Sequence, residues 1–309
     1  MVGIREDLSN LISDISPTEV PFQASASKGS KPDNRFYEWQ LDALQAVDTS
    51  NARNEGNDHT AFNATPQPTR VGNYCQISDK DGIFSGTSQA VKVAGRKSDK
   101  ARAIIRRGLE LRRDVEATVL QRNTGAASTD PRRTATMLSY VRTNVGNVVA
   151  GGANPAAPNP TYAGNRTDGT TPVAFTETML KTTLATAFGN GMKIDGAVIM
   201  VDGPQKQSMS AFTGIATRYR EVPKGQAAIV GAVDLYVSDF GELSIVANRF
   251  QRHRDAWILD FDLIRFRDLR PLFQKPLAPT GDADKFLLIR EWSLQVDNEA
   301  GQALVADLA

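Results

Sequence analysis

The residue types that perform catalysis are few and widely separated in this sequence. Only two histidines occur, His59 in a polar stretch and His253 among arginines. Ser88 lies in Gly-Thr-Ser-Gln-Ala, which approximates the nucleophile elbow of hydrolases but lacks its second glycine and the buried strand that should precede it. A Ser-His-acid triad needs a histidine beside its serine. A hydrolase that uses Ser88 is therefore the least favoured interpretation, and we predict that the protein is not an enzyme.

Phosphate-binding and metal-binding patterns are incomplete. Gly95-Arg-Lys-Ser98 matches the end of a phosphate loop, but Ala90 stands where that loop requires glycine. Three Asp-x-Asp pairs offer oxygen ligands for a hard cation, although none has the spacing of a calcium loop: Asp79/Asp81, Asp260/Asp262 and Asp282/Asp284. The single cysteine, Cys75, excludes an internal disulfide. We therefore predict no catalytic or metal site and no cofactor.

Length and composition indicate a folded protein rather than a disordered or membrane-spanning one. The chain has 309 residues, of which 40% are hydrophobic and 23% charged, enough for two compact domains. No apolar run approaches the roughly 18 residues of a membrane-spanning helix, and the acidic N-terminus does not match a signal peptide. The formal net charge of +1 argues against condensation of nucleic acid by bulk positive charge. We expect no membrane partner.

The longest helical pattern runs over residues 96–123 and organises the other elements. It contains no proline, and at about 1.5 Å per residue it would be a rod of roughly 40 Å. Small and apolar residues recur at steps of three and four, which predicts one buried face: Ala101, Ile104, Gly108, Leu111, Val115 and Val119. Arginines such as Arg106 and Arg113 occupy the remaining surface. Since no aromatic residues interleave with them, ion pairs are favoured over nucleic-acid binding for this surface.

The chain before this helix begins with an arm. An amphipathic helix within residues 1–22 places Leu8, Leu11 and Ile15 on one side. Residues 23–35 are small, polar and rich in helix breakers, so they predict an extended segment with too little apolar surface to fold alone.

A long hairpin follows over residues 36–95. Alternating polarity predicts strands from Phe36 and around 71–77, on either side of a polar loop at 48–69. The sequence at 79–82 has the composition of a turn. A lone two-stranded hairpin is marginally stable in water, so this one needs a partner.

The second half of the chain predicts a long loop and then alternating helices and strands. Residues 144–172 consist largely of Gly, Asn, Pro, Ala and Thr, an unusually long structureless segment for a compact domain. Helices are predicted at 176–188 and 204–212. Extended segments are predicted at 137–141, 197–201, 229–237, 243–248, 256–262 and 286–296, with a loop at 213–227 and a proline-rich connection at 271–284.

The arm, the hairpin and the long loop share one property. Each exposes backbone and apolar groups that a single copy of the chain cannot satisfy. Strand addition and arm exchange between identical neighbours in a closed symmetric assembly would satisfy them. The sequence therefore predicts that the protein builds a shell from copies of itself.

Short motifs, in their order and spacing, resemble the major capsid proteins of tailed bacteriophages. They are Arg5–Leu8, Ile15–Phe22, Glu38–Gln40, Glu55–Gly56, Thr69–Tyr74, Gly86–Thr87, Ala94–Ser98 and Arg113–Glu116. The resemblance is densest over residues 5–123 and weaker over 176–309. It implies an α+β fold of the Hong-Kong-97 type, with an N-terminal arm, an extended loop, a peripheral domain with a long spine helix, and an axial domain.

The resemblance also implies domain boundaries. These are the arm at 1–35, the extended loop at 36–95, the peripheral domain at 96–140 and 277–299 with its spine helix at 96–123, and the axial domain at 141–276 and 300–309. Residues 144–172 depart from this scheme, and we interpret them as an insertion or a surface ornament.

The function implied is structural. The resemblance implies self-assembly in the host cytoplasm into hexamers and pentamers of an icosahedral virion capsid around double-stranded DNA. The implied partners are other copies of the chain, scaffolding protein, cement protein, portal and non-specifically contacted DNA. We predict intersubunit contacts at Leu8, Leu11, Ile15, Trp39, Arg70, Arg106 and Arg113.

Two alternatives stay open. An encapsulin-like nanocompartment shell would share the fold and would be distinguished by a protein cargo. A nucleic-acid-binding virion protein would use the arginine-rich helix, and its isolated subunit would bind DNA with steeply salt-sensitive affinity.

Overall fold

The computed structural model describes residues 18–56, 65, 67–90, 99–212, 235–279 and 281–309. Most of the predicted N-terminal helix, including Leu8, Leu11 and Ile15, lies outside these residues. The predicted loop at 213–227 and most of the strand predicted at 229–237 also lie outside them.

The described residues combine helices with three sheets. The helices are α1 (Pro21–Ser25), α2 (Gly86–Ala90), α3 (Asp99–Gln121), α4 (Met137–Tyr140), α5 (Glu177–Gly189) and α6 (Gly203–Ser210), with 3₁₀ turns at Phe261–Leu263 and Glu299–Gly301. The strands are β1 (Ser27–Lys28), β2 (Phe36–Leu41), β3 (Thr69–Tyr74), β4 (Gln76–Ser85), β5 (Val145–Gly146), β6 (Val198–Val201), β7 (Leu235–Ser238), β8 (Gly241–Ala247), β9 (Ala256–Leu259), β10 (Ile264–Leu277), β11 (Ala283–Val296) and β12 (Gln302–Val305).

Helix α3 confirms the long helical pattern, and it is buried along only part of its length. At about 1.5 Å per residue its 23 residues span roughly 35 Å. Leu111, Val115 and Val119 are buried, as the predicted stripe requires. None of residues 101–110 is buried. The helix therefore joins the core through its C-terminal half.

An elongated four-stranded sheet runs beside α3, with strand order β1-β10-β11-β4. Its central strand β11 pairs antiparallel with β10 and with β4. The sequence predicts one apolar face for this strand, and all five residues of that face are buried: Phe286, Leu288, Trp292, Leu294 and Val296. Helix α3 packs against the sheet, with Lys80 Nζ 2.6 Å from Asp114 Oδ2. A long helix and a long strand therefore form one elongated layer, as expected.

The turn predicted at 79–82 is wrong. These residues lie inside β4, where Asp79 is paired with Ile289 and Asp81 with Leu287. Residues with turn composition adopt a strand here because β11 supplies a continuous ladder of backbone partners. The chain changes sheets at Cys75, so the single strand predicted around 71–77 is two strands in different sheets.

The proline-rich connection predicted at 271–284 is also wrong over most of its length, because β10 continues to Leu277. Pro271 falls within a shift of register between Arg270 and Phe273. Among the described residues, the only strand on the far side of β10 is β1, which reaches no further than Phe266. Prolines are tolerated at bulges and on such open edges because no ladder partner needs their missing N–H.

A six-stranded sheet forms the second body of the fold, in the order β5-β12-β9-β6-β8-β7. The helices predicted at 176–188 and 204–212 are confirmed as α5 and α6, which begin after the capping residues Thr176 and Asp202. The segment predicted to be extended at 137–141 is instead the short helix α4, all four residues of which are buried. Packing outweighs local preference in so short an element.

Two segments that the sequence predicts to be unable to fold within one copy of the chain are packed against its body. Residues 144–172, predicted to be structureless, contain strand β5 and the paired residues Ala153 and Thr167, and they bury Tyr162 and Arg166. In the arm, α1 buries Phe22 completely and β1 pairs with β10. For these described parts, the prediction that only a neighbouring copy could satisfy them is wrong.

Candidate intersubunit surfaces

Strands β2 and β3 form the root of the predicted hairpin, and a buried amide fixes this root to the body. Asn73, on the inward side of β3, is fully buried. Its Nδ2 group lies 2.6 Å from the carbonyl oxygen of Leu294, 2.9 Å from Thr134 Oγ1 and 2.9 Å from Tyr140 Oη. Its Oδ1 accepts a hydrogen bond from the Ala135 N–H at 2.8 Å. Because a buried amide without partners is costly, this network holds the root in one position.

Trp39, predicted to contact a neighbouring subunit, has extensive contacts within its own chain. Its ring stacks on Tyr37 at 5.6 Å between centroids and on Tyr162 at 6.1 Å. The side chain is half-buried, and within the described part of the chain its buried Nε1 has no hydrogen-bond partner. A role for Trp39 between subunits stays a prediction. The sequence could not reveal the contact with Tyr162, which lies more than a hundred positions away.

Arg70 lies on the outward side of the same hairpin. It forms an exposed ion pair with Glu38, and its own side chain is 64% exposed. Glu38, Trp39, Gln40 and Arg70 line a shallow cavity of about 410 Å³. Exposed ion pairs contribute little to the stability of a single subunit. Trp39 and Arg70 therefore both line this cavity, although their side chains lie on opposite faces of the hairpin.

Beyond the root, the hairpin presents apolar side chains to solvent. Leu44 is 100% exposed and Val47 is 92% exposed. Both follow β2 in a segment without regular secondary structure. The nearly complete exposure of two apolar side chains three positions apart makes this segment a candidate contact surface. The sequence analysis did not single them out, because they lie between the predicted strand and the polar loop at 48–69.

The two predicted arginines of α3 form a separate surface and differ in their surroundings. Arg106 is exposed. Arg113 is half-buried and places its guanidinium carbon 5.4 Å from the centre of the Phe250 ring, a cation–π contact within the chain. Ile105, beside Arg106, is 65% exposed. The exposed side of the first half of α3 is therefore mixed apolar and basic.

Glu116 is a functional candidate that sequence reasoning missed. This buried carboxylate of α3 accepts hydrogen bonds from the Phe22 N–H at 2.7 Å, from the Gln23 N–H at 3.0 Å and from Asn248 Nδ2 at 2.8 Å. It thus caps α1, whose own N-cap residue Val20 offers no side-chain acceptor. Burial raises the pKa of Glu116, and these hydrogen bonds oppose the rise. Glu116 belongs to the motif Arg113–Glu116 of the resemblance, but the sequence predicted no role for it.

The described residues that were considered for catalysis have separate hydrogen-bond partners, and His59 lies outside the described residues. Ser88 Oγ donates to the carbonyl oxygen of Ser85 at 3.0 Å, whereas His253 Nδ1 lies 2.7 Å from Asp202 Oδ2. Cys75 is buried, and burial raises the pKa of its thiol to about 12, so the thiol is protonated at neutral pH.

Within the ranges that the structure describes, no group of three or more His, Cys, Asp or Glu side chains could hold a metal ion. Over the same ranges, no helix is long and apolar enough to cross a bilayer.

Comparison with known families decides between the interpretations of this architecture. A model of the SU10 major capsid protein family matches residues 1–309, the whole chain. The chain belongs to the SU10 major capsid protein family. The predicted resemblance to tailed-phage major capsid proteins is confirmed, and the protein is a component of the virion capsid.

A sequence relative agrees with this membership. The major capsid protein of Escherichia phage Phieco32 is 33% identical over 129 residues, which cover 41% of this chain. The match spans 35% of the length of that relative.

Solved structures confirm the fold. The capsid protein of cyanophage A-1(L) aligns with a TM-score of 0.71 at 11% identity, covering 99% of this chain and 97% of its own. The capsid of a native GTA particle gives a TM-score of 0.66 at 10% identity, with coverages of 100% and 96%. The Gordonia phage Cozz structure gives 0.57 at 13% identity, with coverages of 99% and 91%. The α+β, Hong-Kong-97-type capsid fold is therefore confirmed over the whole chain.

Proposed function

We propose that this capsid protein self-assembles into hexameric and pentameric capsomers of an icosahedral phage head that encloses double-stranded DNA. Its role is structural rather than catalytic. Assembly takes place in the host cytoplasm, and the subunit contacts packaged DNA without sequence specificity. Scaffolding protein, cement protein and portal are the further partners that we propose.

The observation that carries the proposal is the family match over all 309 residues. Local features of the chain agree with it. Leu44 and Val47 are almost fully exposed on the hairpin, and the first half of α3 exposes Ile105 beside Arg106. Burial of such surfaces against neighbouring copies would supply a driving force of about 25 cal/mol for each Å² of apolar surface removed from water.

The domain boundaries stay a prediction and belong to this proposal. In it, β2 and β3 form the root of the extended loop, α3 is the spine helix of the peripheral domain, and the six-stranded sheet forms the axial domain. The predicted contacts at Leu8, Leu11, Ile15, Trp39, Arg70, Arg106 and Arg113 belong to it as well.

A double substitution at the exposed hairpin residues tests the proposal. We expect Leu44→Ser with Val47→Ser to abolish closed particles, because the substitutions remove apolar contact area without touching the core. Particle formation would be followed by sedimentation velocity and negative-stain microscopy, and subunit folding by circular dichroism. The matched control is Gln45→Ser, which changes a polar residue of the same exposed segment. Normal shells from the double variant would contradict assembly through this hairpin.

A further inference from the structure

Residues 144–172, hereafter the brace, contact the root of the hairpin at its open edge. The Gly72 N–H of β3 donates to the carbonyl oxygen of Pro160 at 2.9 Å, and Gly72 pairs with Thr161 in a parallel bridge. The brace thus meets the two-stranded sheet of β2 and β3 through a single bridge at the free edge of β3.

The next residue of the brace adds a side-chain contact. Tyr162 is buried and lies between Trp39, at 6.1 Å, and Tyr140, at 4.3 Å between ring centroids. Its carbonyl oxygen accepts a hydrogen bond from the Ala126 N–H at 2.8 Å. Tyr162 therefore connects the inward face of the hairpin to two elements of the body.

The other end of the brace is held by buried charges. The Arg166 side chain is fully buried, with Nη1 donating to Asn154 Oδ1 at 2.8 Å and Nη2 3.4 Å from Asp307 Oδ2. Asp307 Oδ1 also accepts from the Gly169 N–H at 2.9 Å. Arg252 Nη2 lies 2.5 Å from Asp168 Oδ1. Buried ionic contacts of this kind are sensitive to geometry, so they fix a segment in one register.

The hairpin needs such a support because its own ladder does not continue into the large sheets. β2 and β3 form a separate two-stranded sheet, and the chain passes to the elongated sheet only through Cys75. The Asn73 network holds the inward side of the root to the body, whereas the brace contacts its edge and its aromatic residues. The angle at which the hairpin leaves the body is thus set by contacts outside the hairpin.

We propose that the brace is the positioning element of the hairpin: by holding Gly72 and Trp39, it sets the direction in which the hairpin reaches toward a neighbouring subunit. Tyr162 is the positioning residue at the point of contact. This inference rests on the proposed assembly function, and it assigns to residues 144–172 a role other than that of a surface ornament.

A distance measurement on unassembled subunits tests the positioning directly. Spin labels would be placed at Asp42→Cys, at the end of β2, and at Ser128→Cys on the body, since both positions are exposed and the native Cys75 is buried. In the parent chain and in Tyr162→Phe, which keeps the ring, we expect the same narrow distribution of distances by double electron–electron resonance. In Tyr162→Ala, we expect a broadened or shifted distribution. An unchanged distribution in Tyr162→Ala would overturn the proposal.

Two further readouts keep the test decisive. The Gly72 amide should exchange with deuterium at least tenfold faster in Tyr162→Ala, because its hydrogen bond to Pro160 depends on the brace. If Tyr162→Ala does not fold, Trp39→Leu removes the same contact between the Trp39 and Tyr162 rings by changing the hairpin residue. We then expect the same change in the distance between the two spin labels. Unchanged distances and unchanged exchange in Trp39→Leu would then overturn the proposal.

Particle geometry separates this inference from the proposed function. We expect Tyr162→Ala subunits to form open or irregular sheets under conditions where the parent chain forms closed shells. Closed shells of normal diameter from Tyr162→Ala would overturn the positioning role. Failure of the parent chain to assemble would instead contradict the proposed function, and the distance measurement on free subunits would still test the brace.

Discussion

The six-stranded sheet and the outer end of the elongated sheet differ in how completely one chain buries them. Every residue of β9 and β12 is buried, and α5 and α6 contribute to the same core. In contrast, no residue of β10 from Arg270 to Leu277 is buried, although its backbone is paired with β11 along this stretch. The six-stranded sheet is held by apolar packing, whereas the outer end of the elongated sheet is held mainly by its ladder of hydrogen bonds.

The outer end also exposes one face on which apolar and charged residues are mixed. Cross-strand pairing places Ile77, Ile83, Phe273 and Leu277 on the same side of the sheet, and all four are exposed. Helix α3 packs on the opposite side, through pairs such as Lys80–Asp114. The comparison teaches that a regular ladder does not require burial of both faces by the same chain. The exposed Asp79, Asp81 and Lys275 lie on this side too, so the four apolar residues are interspersed with charges.

We expect the largest loss of subunit stability from a substitution in the inner part of the elongated sheet. This part is as buried as the six-stranded sheet. Trp292 is fully buried, and its Nε1 donates to Ser78 Oγ at 3.0 Å. We expect Trp292→Ala to lower the free energy of unfolding of the subunit by about 3–5 kcal/mol, since it leaves a large cavity. Urea denaturation followed by circular dichroism measures this loss. A loss below about 1 kcal/mol would show that the inner sheet is not packed as described.

The second prediction concerns how the stability of the subunit depends on pH through a residue of the six-stranded sheet region. Asp255 precedes β9 and is fully buried, with its Oδ2 3.1 Å from Arg252 Nε. Burial raises the pKa of Asp255 from 3.8 to about 7, although Arg252 and Arg166 oppose the rise. The folded state therefore retains a proton that the unfolded state has lost between about pH 4 and pH 7. Its contribution to stability is present at low pH and is lost as the pH rises through this window.

We accordingly expect Asp255→Asn to remove this decrease in the free energy of unfolding with rising pH. Urea denaturation of the unassembled subunit at pH 5, 6, 7 and 8 would measure the free energy of unfolding. The matched control is Asp239→Asn, an exposed aspartate in the same half of the fold, which should keep the slope of the parent chain. If the free energy of unfolding changed with pH in the same way in Asp255→Asn and in the parent chain, Asp255 would not be the cause of the pH dependence.

The smallest effect on the subunit should come from the exposed face of the outer end. Ile83 is 63% exposed. We expect Ile83→Ser to change the free energy of unfolding by no more than about 0.5 kcal/mol, because exposed substitutions away from special features are nearly neutral. The same substitution should reduce the yield of assembled particles in sedimentation experiments. Loss of subunit stability comparable to that in Trp292→Ala would erase the distinction between the two regions.

Local sequence patterns predicted those helices and strands in which the spacing of apolar residues indicates which side chains are buried. The stripe Leu111, Val115 and Val119 and the alternating face of β11 were readable because helices and strands repeat every 3.6 and every two residues. The candidate surfaces were only partly predictable. Trp39 and Arg70 were predicted from the extended loop that the resemblance implies, whereas Glu116 and Tyr162 derive their roles from partners elsewhere in the chain.

By itself, the sequence determined the long helix, the long strand, the α5 and α6 helices and the family to which the chain belongs. Only the tertiary structure decided that residues 79–82 form a strand, that 137–140 form a helix and that 144–172 brace the hairpin. The reason is physical. Periodicity and capping act between residues a few positions apart, whereas pairs such as Asp79–Ile289 and Arg166–Asp307 join segments separated by well over a hundred residues. The local preferences of such segments are weak, and the partner that they meet on folding determines their conformation.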